Sequence, residues 1–400
     1  MRPLRALSGK ADALAALQTL CTPSTRAVDV PLDAAAGRVL ATEVAARDDV
    51  PGFDRSAMDG YALRAADSGP GRALPVAGRV PAGRPLGRPV PPGACVEIAT
   101  GGALPEGADT VVPFEAARRE ADTLHLARAS RPGEHVSLRG GDVHRGQVVL
   151  RARDVLTPAR IALVGSLGLA RVAVLARPRV VVLGSGSEVV EPGTALPEGG
   201  VFDGNSYALA ALVRRHGGEA LRRPPVPDEE AAYARALASA AADADLVVTT
   251  GGSSVGERDL LRATVEAAGG EVLVHGLRLR PGKPVLVGRL HGTPLLGLPG
   301  YPASAVVTAE LLLVPAVRAL AGLPPHEPAT RRARLAEAVA KPSATTLVLP
   351  LAIDADGIGR NTYKESGTLT SVTGSWGYVE VPEGIDRLEA GTEVEVRRWS

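Results

Sequence analysis

Between residues 177 and 323 short apolar runs alternate with amphipathic helical stretches, and this alternation restricts the fold more than any other part of the chain. "RVVVLG" reads as a buried strand, followed by helical "SYALAALVRRHGG" and an acidic helix start at "PDEEAAYARALASAA". Strand "DLVVTT", helix "DLLRATVEAAGG", strands "EVLVHGL" and "KPVLVG", and helix "SAVVTAELLLVPAVRALAG" complete the series. Apolar runs without polar alternation suit strands buried on both faces, so the pattern predicts a parallel sheet between two helical layers. Such sheets bind ligands beyond the carboxyl ends of their strands. Four glycine-rich loops fall there: "GSGSEV", "TTGGSSVGERD", "RLRPGKP" and "GLPGYPAS".

The flanking stretches differ in texture. With 400 residues, roughly two to four domains are expected. Residues 8–45 read as helical, with Ser8 as cap, Ala13, Leu14, Leu17, Leu20 and Cys21 at helical spacing, and Pro23 as terminator; "PLDAAAGRVLATEV" offers a second short helix. Residues 46–142 alternate short apolar runs such as "RALPVAGRV", "ACVEIAT" and "DTVVPFE" with Pro/Gly turns, an all-β module. Residues 143–175 return to strand, helix, strand, with Thr157 as cap and Pro158 at the first helical position. This stretch can pair with the N-terminal one, which makes the β module an insertion. From 327 onward, "LVLPLAI", "GYVEVP" and "EVEVRRW" form a small β domain.

A net charge of +1 and 3% aromatic residues argue against a nucleic-acid or membrane-surface partner, so an anionic ligand needs a local site. Cys21 and Cys95, with no C-x-x-C, exclude a disulfide scaffold and a cysteine zinc site and fit a reducing compartment. The chain opens without a signal-peptide core, and no segment reads as membrane-spanning, so a cytoplasmic location is expected.

Glycines let backbone N–H groups approach an anion, and a following helix N-terminus adds partial positive charge. "GGSSVGERD" supplies the amides and hydroxyls of Gly251, Gly252, Ser253, Ser254 and Gly256, and Asp259 supplies a carboxylate beside them. In "RLRPGKP" a Pro281-Gly282 turn aims Arg278, Arg280 and Lys283. Together these suit a phosphorylated ligand with a metal ion. "GSGSEV" lacks the third glycine of a dinucleotide loop, and Pro284 follows Gly282-Lys283 where a Walker loop requires Ser or Thr. Singly, each loop also has an architectural reading: a glycine corner, Asp259 as helix cap, Lys283 as a solvated turn residue. In the β module, "PGFDRSAMDGYAL" reads as a hairpin with Asp59-Gly60 at its tip, while Thr100, Asp109, Glu115, Arg139 and Asp142 fall near turns.

Taken together, "FDRSAMDGYAL", "ATGGALPEGADTVV", "RGGDVHRG", "GSGSEV", "TTGGSSVGERD", "RPGKP" and "GLPGYPASA" resemble, in order and spacing, the molybdopterin molybdenumtransferase family, from about residue 10 to the C-terminus. The resemblance implies a multidomain α/β plus β fold. Its parts are an elongated dimerisation domain (1–45 and 143–176), an inserted β domain (46–142), a three-layer α/β domain binding adenylylated molybdopterin (177–326) and a C-terminal β-barrel domain (327–400). It implies a homodimer with a cleft between the inserted domain of one subunit and the α/β domain of the other, and an enzyme that inserts molybdenum from molybdate into adenylylated molybdopterin with Mg²⁺-dependent release of AMP. Carried over by position, Asp59, Thr100 and Asp142 serve from the inserted side. Glu188, Asp228 and Asp259 serve as acids and Mg²⁺ ligands, and Lys283 and Arg280 as oxyanion or phosphate holders. Pro299, Gly300 and Ser371 line the substrate. Tyr301 stands where the family commonly has asparagine, Arg280 where it has lysine, and Ser187 where it has aspartate. Molybdopterin adenylyltransferase and molybdoenzyme apoproteins or chaperones are the implied partners. Two other readings compete: a molybdopterin adenylyltransferase, for which the β module and last domain are surplus, and a non-catalytic molybdopterin-binding scaffold dimer, against which the retained acids argue.

Overall fold

The computed structural model describes residues 7–252 and 259–400. The chain forms two compact units, one of Asp29–Ala36 and Leu40–Val174, the other of Met1–Val28, Gly37–Val39 and Leu175–Ser400. Helix α1 (Lys10–Leu20) opens the latter and buries Ala13 and Leu17. Its cap is Gly9 rather than Ser8: Asp12 accepts the Gly9 N–H at 2.8 Å, while the Ser8 backbone pairs with Gly276 and Arg278.

The unit of residues 29–36 and 40–174 is built on a six-stranded sheet. Its strands are β1 (Gly60–Leu63), β2 (Ala73–Val80), β3 (Cys95–Ile98), β4 (Thr110–Pro113), β5 (Ala117–Glu120) and β6 (Thr123–Leu126), in the order β4-β1-β3-β2-β6-β5. Both faces are buried: Tyr61, Leu63, Cys95 and Val112 lie on one, Ala62, Val96, Ile98 and Val111 on the other. "DRSAMDGYAL" is not the hairpin its Asp-Gly suggests. Arg55–Ser56 pairs with Val136–Ser137, and β1 pairs with β3 and β4. Gly60 is needed for that close approach, since a Cβ there would sit 2.1 Å from the Val112 carbonyl oxygen. Helix α2 (Pro158–Ser166) starts as the sequence indicates, with Thr157 Oγ1 accepting from Arg160 N. The second helix expected in "PLDAAAGRVLATEV" is absent: a single 3₁₀ turn, Leu32–Ala34, is followed by turns, an isolated bridge of Leu40 to Val174 and the two-residue strand Val44–Ala45.

The other unit holds a three-layer domain. Its elements are β7 (Arg179–Ser185), α3 (Asn205–Arg215), β8 (Glu219–Val226), α4 (Glu230–Asp243), β9 (Leu246–Thr250), α5 (Leu260–Ala267), β10 (Glu271–His275), β11 (Leu279–Arg280), β12 (Leu286–Leu290), β13 (Thr293–Leu298), α6 (Pro302–Thr308) and α7 (Val314–Leu320). The sheet runs β8-β7-β9-β13-β12-β10. Val180 and Val182 face α1, α3, α6 and α7, while Val181 and Leu183 face α4 and α5. The sheet is mixed, because β12 and β13 form an antiparallel hairpin through His291-Gly292. Both turn residues have positive φ (+50° and +87°), the conformation of a two-residue hairpin turn. Strand β8 carries Pro224 and Pro225 and lies at the sheet edge, where a missing N–H is tolerated.

Helices α6 and α7, joined by a π-helical turn at Ala309–Leu313, make one stretch, Pro302–Leu320, long and apolar enough to cross a membrane. This corrects the expectation that no segment reaches that length. The stretch is a core helix, with 78% of its most apolar window buried inside the protein. The C-terminal strands β14 (Thr330–Leu335), β15 (Thr346–Ile353), β16 (Ile358–Asn361), β17 (Gly377–Val381) and β18 (Glu393–Arg398) close into a five-stranded barrel through the β15–β17 pairing. β11 adds to β15 from outside, Leu279 opposite Thr346 and Arg280 opposite Leu347.

His216, at the end of α3, is 2% exposed, and neither ring nitrogen has a hydrogen-bond partner. Burial, reinforced by His326, Arg318 and Arg215, pushes its pKa from 6.5 down to about 4. The unfolded chain therefore takes up this proton first as pH falls. Stability should decline between pH 6.5 and 4, by on the order of 3 kcal/mol from this group. Urea titrations across that range are expected to show the decline in the wild type and a flatter profile for His216→Phe.

Candidate functional site

Strands β7, β9, β13 and β10 all run in the same direction, so their carboxyl ends share one edge of the sheet. Register sets Gly184 opposite Thr250 and Thr250 opposite Leu298, and the loops therefore leave at one level. Gly251 follows with φ +88°, and a Cβ there would meet the Ser185 carbonyl oxygen at 2.3 Å. Only glycine fits this corner. Asn205, at the start of α3, donates through Nδ2 to Thr250 Oγ1 (3.0 Å) and to the Gly300 carbonyl (2.7 Å), and Thr250 Oγ1 donates to the buried Pro299 carbonyl (3.0 Å). Gly251, Gly252, Pro299 and Gly300 thus form a cross-tied backbone cradle. Ser253, Ser254 and Gly256 lie outside the described residues.

Two acids gather beside it. Asp228 N donates to Ser187 Oγ at 3.1 Å, which ties the approach to α4 to the Glu188 loop. Partial burial and then the charge of Glu188 raise the Asp228 carboxyl above its ordinary range. Two exposed carboxylates that repel each other suit a cation. Asp259 is employed differently: Oδ1 accepts from Arg262 N at 3.1 Å, capping α5, and Oδ2 meets His275 Nε2. Among the described residues no three His, Cys, Asp or Glu side chains form a ready metal cluster. Mg²⁺ commonly takes one or two carboxylates plus substrate phosphates, so the donor set at Glu188 and Asp228 fits it.

Arg280 and Lys283 are exposed at the same edge and form no ion pair among the described residues. Arg278 departs from the expectation that it faces a ligand. Its Nε donates to Glu383 (3.0 Å) and a second guanidinium nitrogen to the Leu7 carbonyl, an architectural tie. Ser371 departs likewise: it is fully buried, and its Oγ accepts the Lys364 N–H at 3.0 Å.

In the unit of residues 29–36 and 40–174 a second set converges. Thr100 N donates to Asp59 Oδ1 at 2.9 Å, and the Ser56 backbone pairs with Gly101 and Gly102. Arg139 N donates to Asp54 Oδ1 (2.7 Å) and Gly140 N to the Pro51 carbonyl, which brings the loop of Asp142 to the same turns. Asp59, Thr100 and Asp142 are all exposed there. Asp109 instead accepts the Ala65 N–H (2.6 Å), a turn contact. Sequence reasoning missed Asn205 and His275; the signals available were an asparagine opening a helix and a polar residue ending a strand beside the ligand edge.

Three family descriptions match the chain: "MoeA N-terminal region (domain I and II)" over residues 10–168, "Probable molybdopterin binding domain" over 181–319 and "MoeA C-terminal region (domain IV)" over 332–399. Molybdopterin molybdenumtransferase 2 of Mycobacterium tuberculosis is 35% identical over 409 residues, covering 98% of this chain and 99% of its own. The chain belongs to the molybdopterin molybdenumtransferase family. The molybdopterin molybdenumtransferase of Haemophilus influenzae is 37% identical over 316 residues, 78% of each chain. Two crystal structures of the molybdopterin biosynthesis MoeA protein of Pyrococcus horikoshii share the family's multidomain fold with it. Their TM-scores are 0.84 and 0.82 at 32% and 30% identity, covering 98% of this chain and 99% and 100% of theirs.

For this family member, saturating Mg²⁺ should raise the thermal midpoint at neutral pH. Protons would compete with metal at Asp228, whose carboxyl is raised above its ordinary range, so the rise should shrink as pH falls. A Glu188→Gln/Asp228→Asn protein should show no Mg²⁺-dependent shift by scanning fluorimetry.

Proposed function

We propose that this protein inserts molybdenum from molybdate into adenylylated molybdopterin and releases AMP. The observation that supports the reading is the meeting, at one sheet edge, of a glycine amide cradle, the repelling Glu188–Asp228 pair, and Arg280 and Lys283, which form no ion pair among the described residues. The Gly251-Gly252 and Pro299-Gly300 backbones hold a phosphate or the pterin edge. Lys283 and Arg280 hold the molybdate oxyanion or a phosphate through charge-assisted contacts. Glu188 and Asp228 would hold Mg²⁺, with Asp259 placed at the same sheet edge, and the ion would neutralise charge on the phosphoanhydride. Asp59, Thr100 and Asp142 close the site from the partner subunit of a homodimer. The location is cytoplasmic, as expected for an enzyme whose substrates and two buried free cysteines belong to reducing conditions.

The test mixes purified protein with adenylylated molybdopterin, Mg²⁺ and molybdate and follows AMP release and pterin-bound molybdenum. Wild type should release AMP in a molybdate-dependent way. Asp228→Asn should lose roughly 100-fold in rate, and Lys283→Ala should raise the molybdate concentration needed for half-maximal rate. Tight adenylate binding without AMP release moves the protein to the scaffold class, and adenylylation of molybdopterin by ATP moves it to the adenylyltransferases. A dimer mixed from Asp59→Ala and Asp228→Ala chains should recover part of the activity that each parent dimer lacks.

A further inference from the structure

Asp259 and His275 come from different elements: Asp259 caps α5, and His275 ends β10 at the ligand edge. Their side chains are mostly buried, 14% and 17% exposed, and Asp259 Oδ2 meets His275 Nε2. The other carboxylate oxygen is fixed by the Arg262 N–H at 3.1 Å. No basic side chain other than His275 forms an ion pair with Asp259 among the described residues. Among the described residues neither His275 Nδ1 nor Asp259 Oδ2 has a hydrogen-bond partner, so what joins the ring to the carboxylate is the close Nε2–Oδ2 approach and not an aligned hydrogen bond.

We infer that His275 is a positioning residue for the reaction: its Nε2 holds the Asp259 carboxylate in one orientation at the edge where the anhydride is cleaved. The inference rests on the functional reading above and adds a residue that reading does not use. Helix capping alone engages one oxygen, and the carboxylate can still exchange its two oxygens by a half-turn about its Cβ–Cγ bond. Contact at the second oxygen removes that freedom, and it comes from the strand that leads directly into the "RLRPGKP" loop. A group needed at a fixed point in a transition state gains from such restraint, and loss of a supporting partner of this kind typically costs 10–100-fold.

The experiment measures AMP release and thermal midpoint for wild type, His275→Ala, His275→Gln, Asp259→Asn and the His275→Ala/Asp259→Asn double variant. His275→Ala should lower kcat about 10–100-fold while the KM for adenylylated molybdopterin and the thermal midpoint stay close to wild type. His275→Gln, which keeps a donor at a similar reach, should recover most of the loss. The double variant should be no slower than Asp259→Asn alone. Unchanged kcat in His275→Ala, or independent losses that multiply in the double variant, overturns the inference. Should His275→Ala not fold, His275→Asn, with a shorter reach, takes its place. If wild type releases no AMP, the functional reading fails and the pairing is read by calorimetric titration with AMP and Mg²⁺. A tenfold weaker affinity in His275→Ala that His275→Gln restores then upholds the positioning role, and equal affinities overturn it.

Discussion

The parallel ladder between β7 and β9 governs everything at the ligand edge. Val180 to Gly184 pair one-to-one with Leu246 to Thr250, and the ladder is buried on both faces. A slip of one residue would exchange the two core faces, so the register is strongly determined. That register brings the Ser185 carbonyl against Gly251 and lets Asn205 reach both Thr250 and Gly300. The cradle is therefore placed by hydrophobic burial far below it, and its own polar contacts only trim the position.

Charge at the edge divides into two kinds. Side chains with partners are structural. Arg222 grips Glu191 with two bonds of 2.7 and 2.9 Å and stacks 4.0 Å above the Tyr207 ring, and Arg278 ties Leu7 to Glu383. Those with no ion pair among the described residues, or beside a like charge, are the ones available to a ligand: Arg280, Lys283, Glu188 and Asp228. A protein that meets an anionic substrate carrying a divalent cation gains from keeping both signs uncompensated until that substrate arrives.

Much of this was legible in the sequence. The buried-strand runs, the glycine corners and the proline-started helix α2 follow from local chemistry, and each is present. What was hidden had physical disguises. Strand β8 is missing from the strands read in the sequence, since its two prolines suit a strand only at a sheet edge. His291-Gly292 concealed a hairpin inside an apparently parallel series, because a non-glycine residue is uncommon at the positive φ that the first turn position requires. Asp59-Gly60 imitated a hairpin turn, whereas Gly60 is there for the approach of Val112. For the site, residue types were readable but commitments were not. Whether Arg278, Ser371 or Asp259 is free or already bonded depends on partners from 3 to 271 residues away in the chain.

The two-residue strand β11 belongs to the barrel's sheet, yet it lies in the loop between two strands of the α/β sheet. The barrel is therefore not a detachable appendage. Cutting the chain before Thr330 would strip Leu279 and Arg280 of their backbone partners and leave an open edge beside the ligand loop, a place for stray pairing with another chain. Gene fusions and splits in such a protein are consequently constrained: the last 70 or so residues travel with the α/β domain, or its anion loop loses its backing.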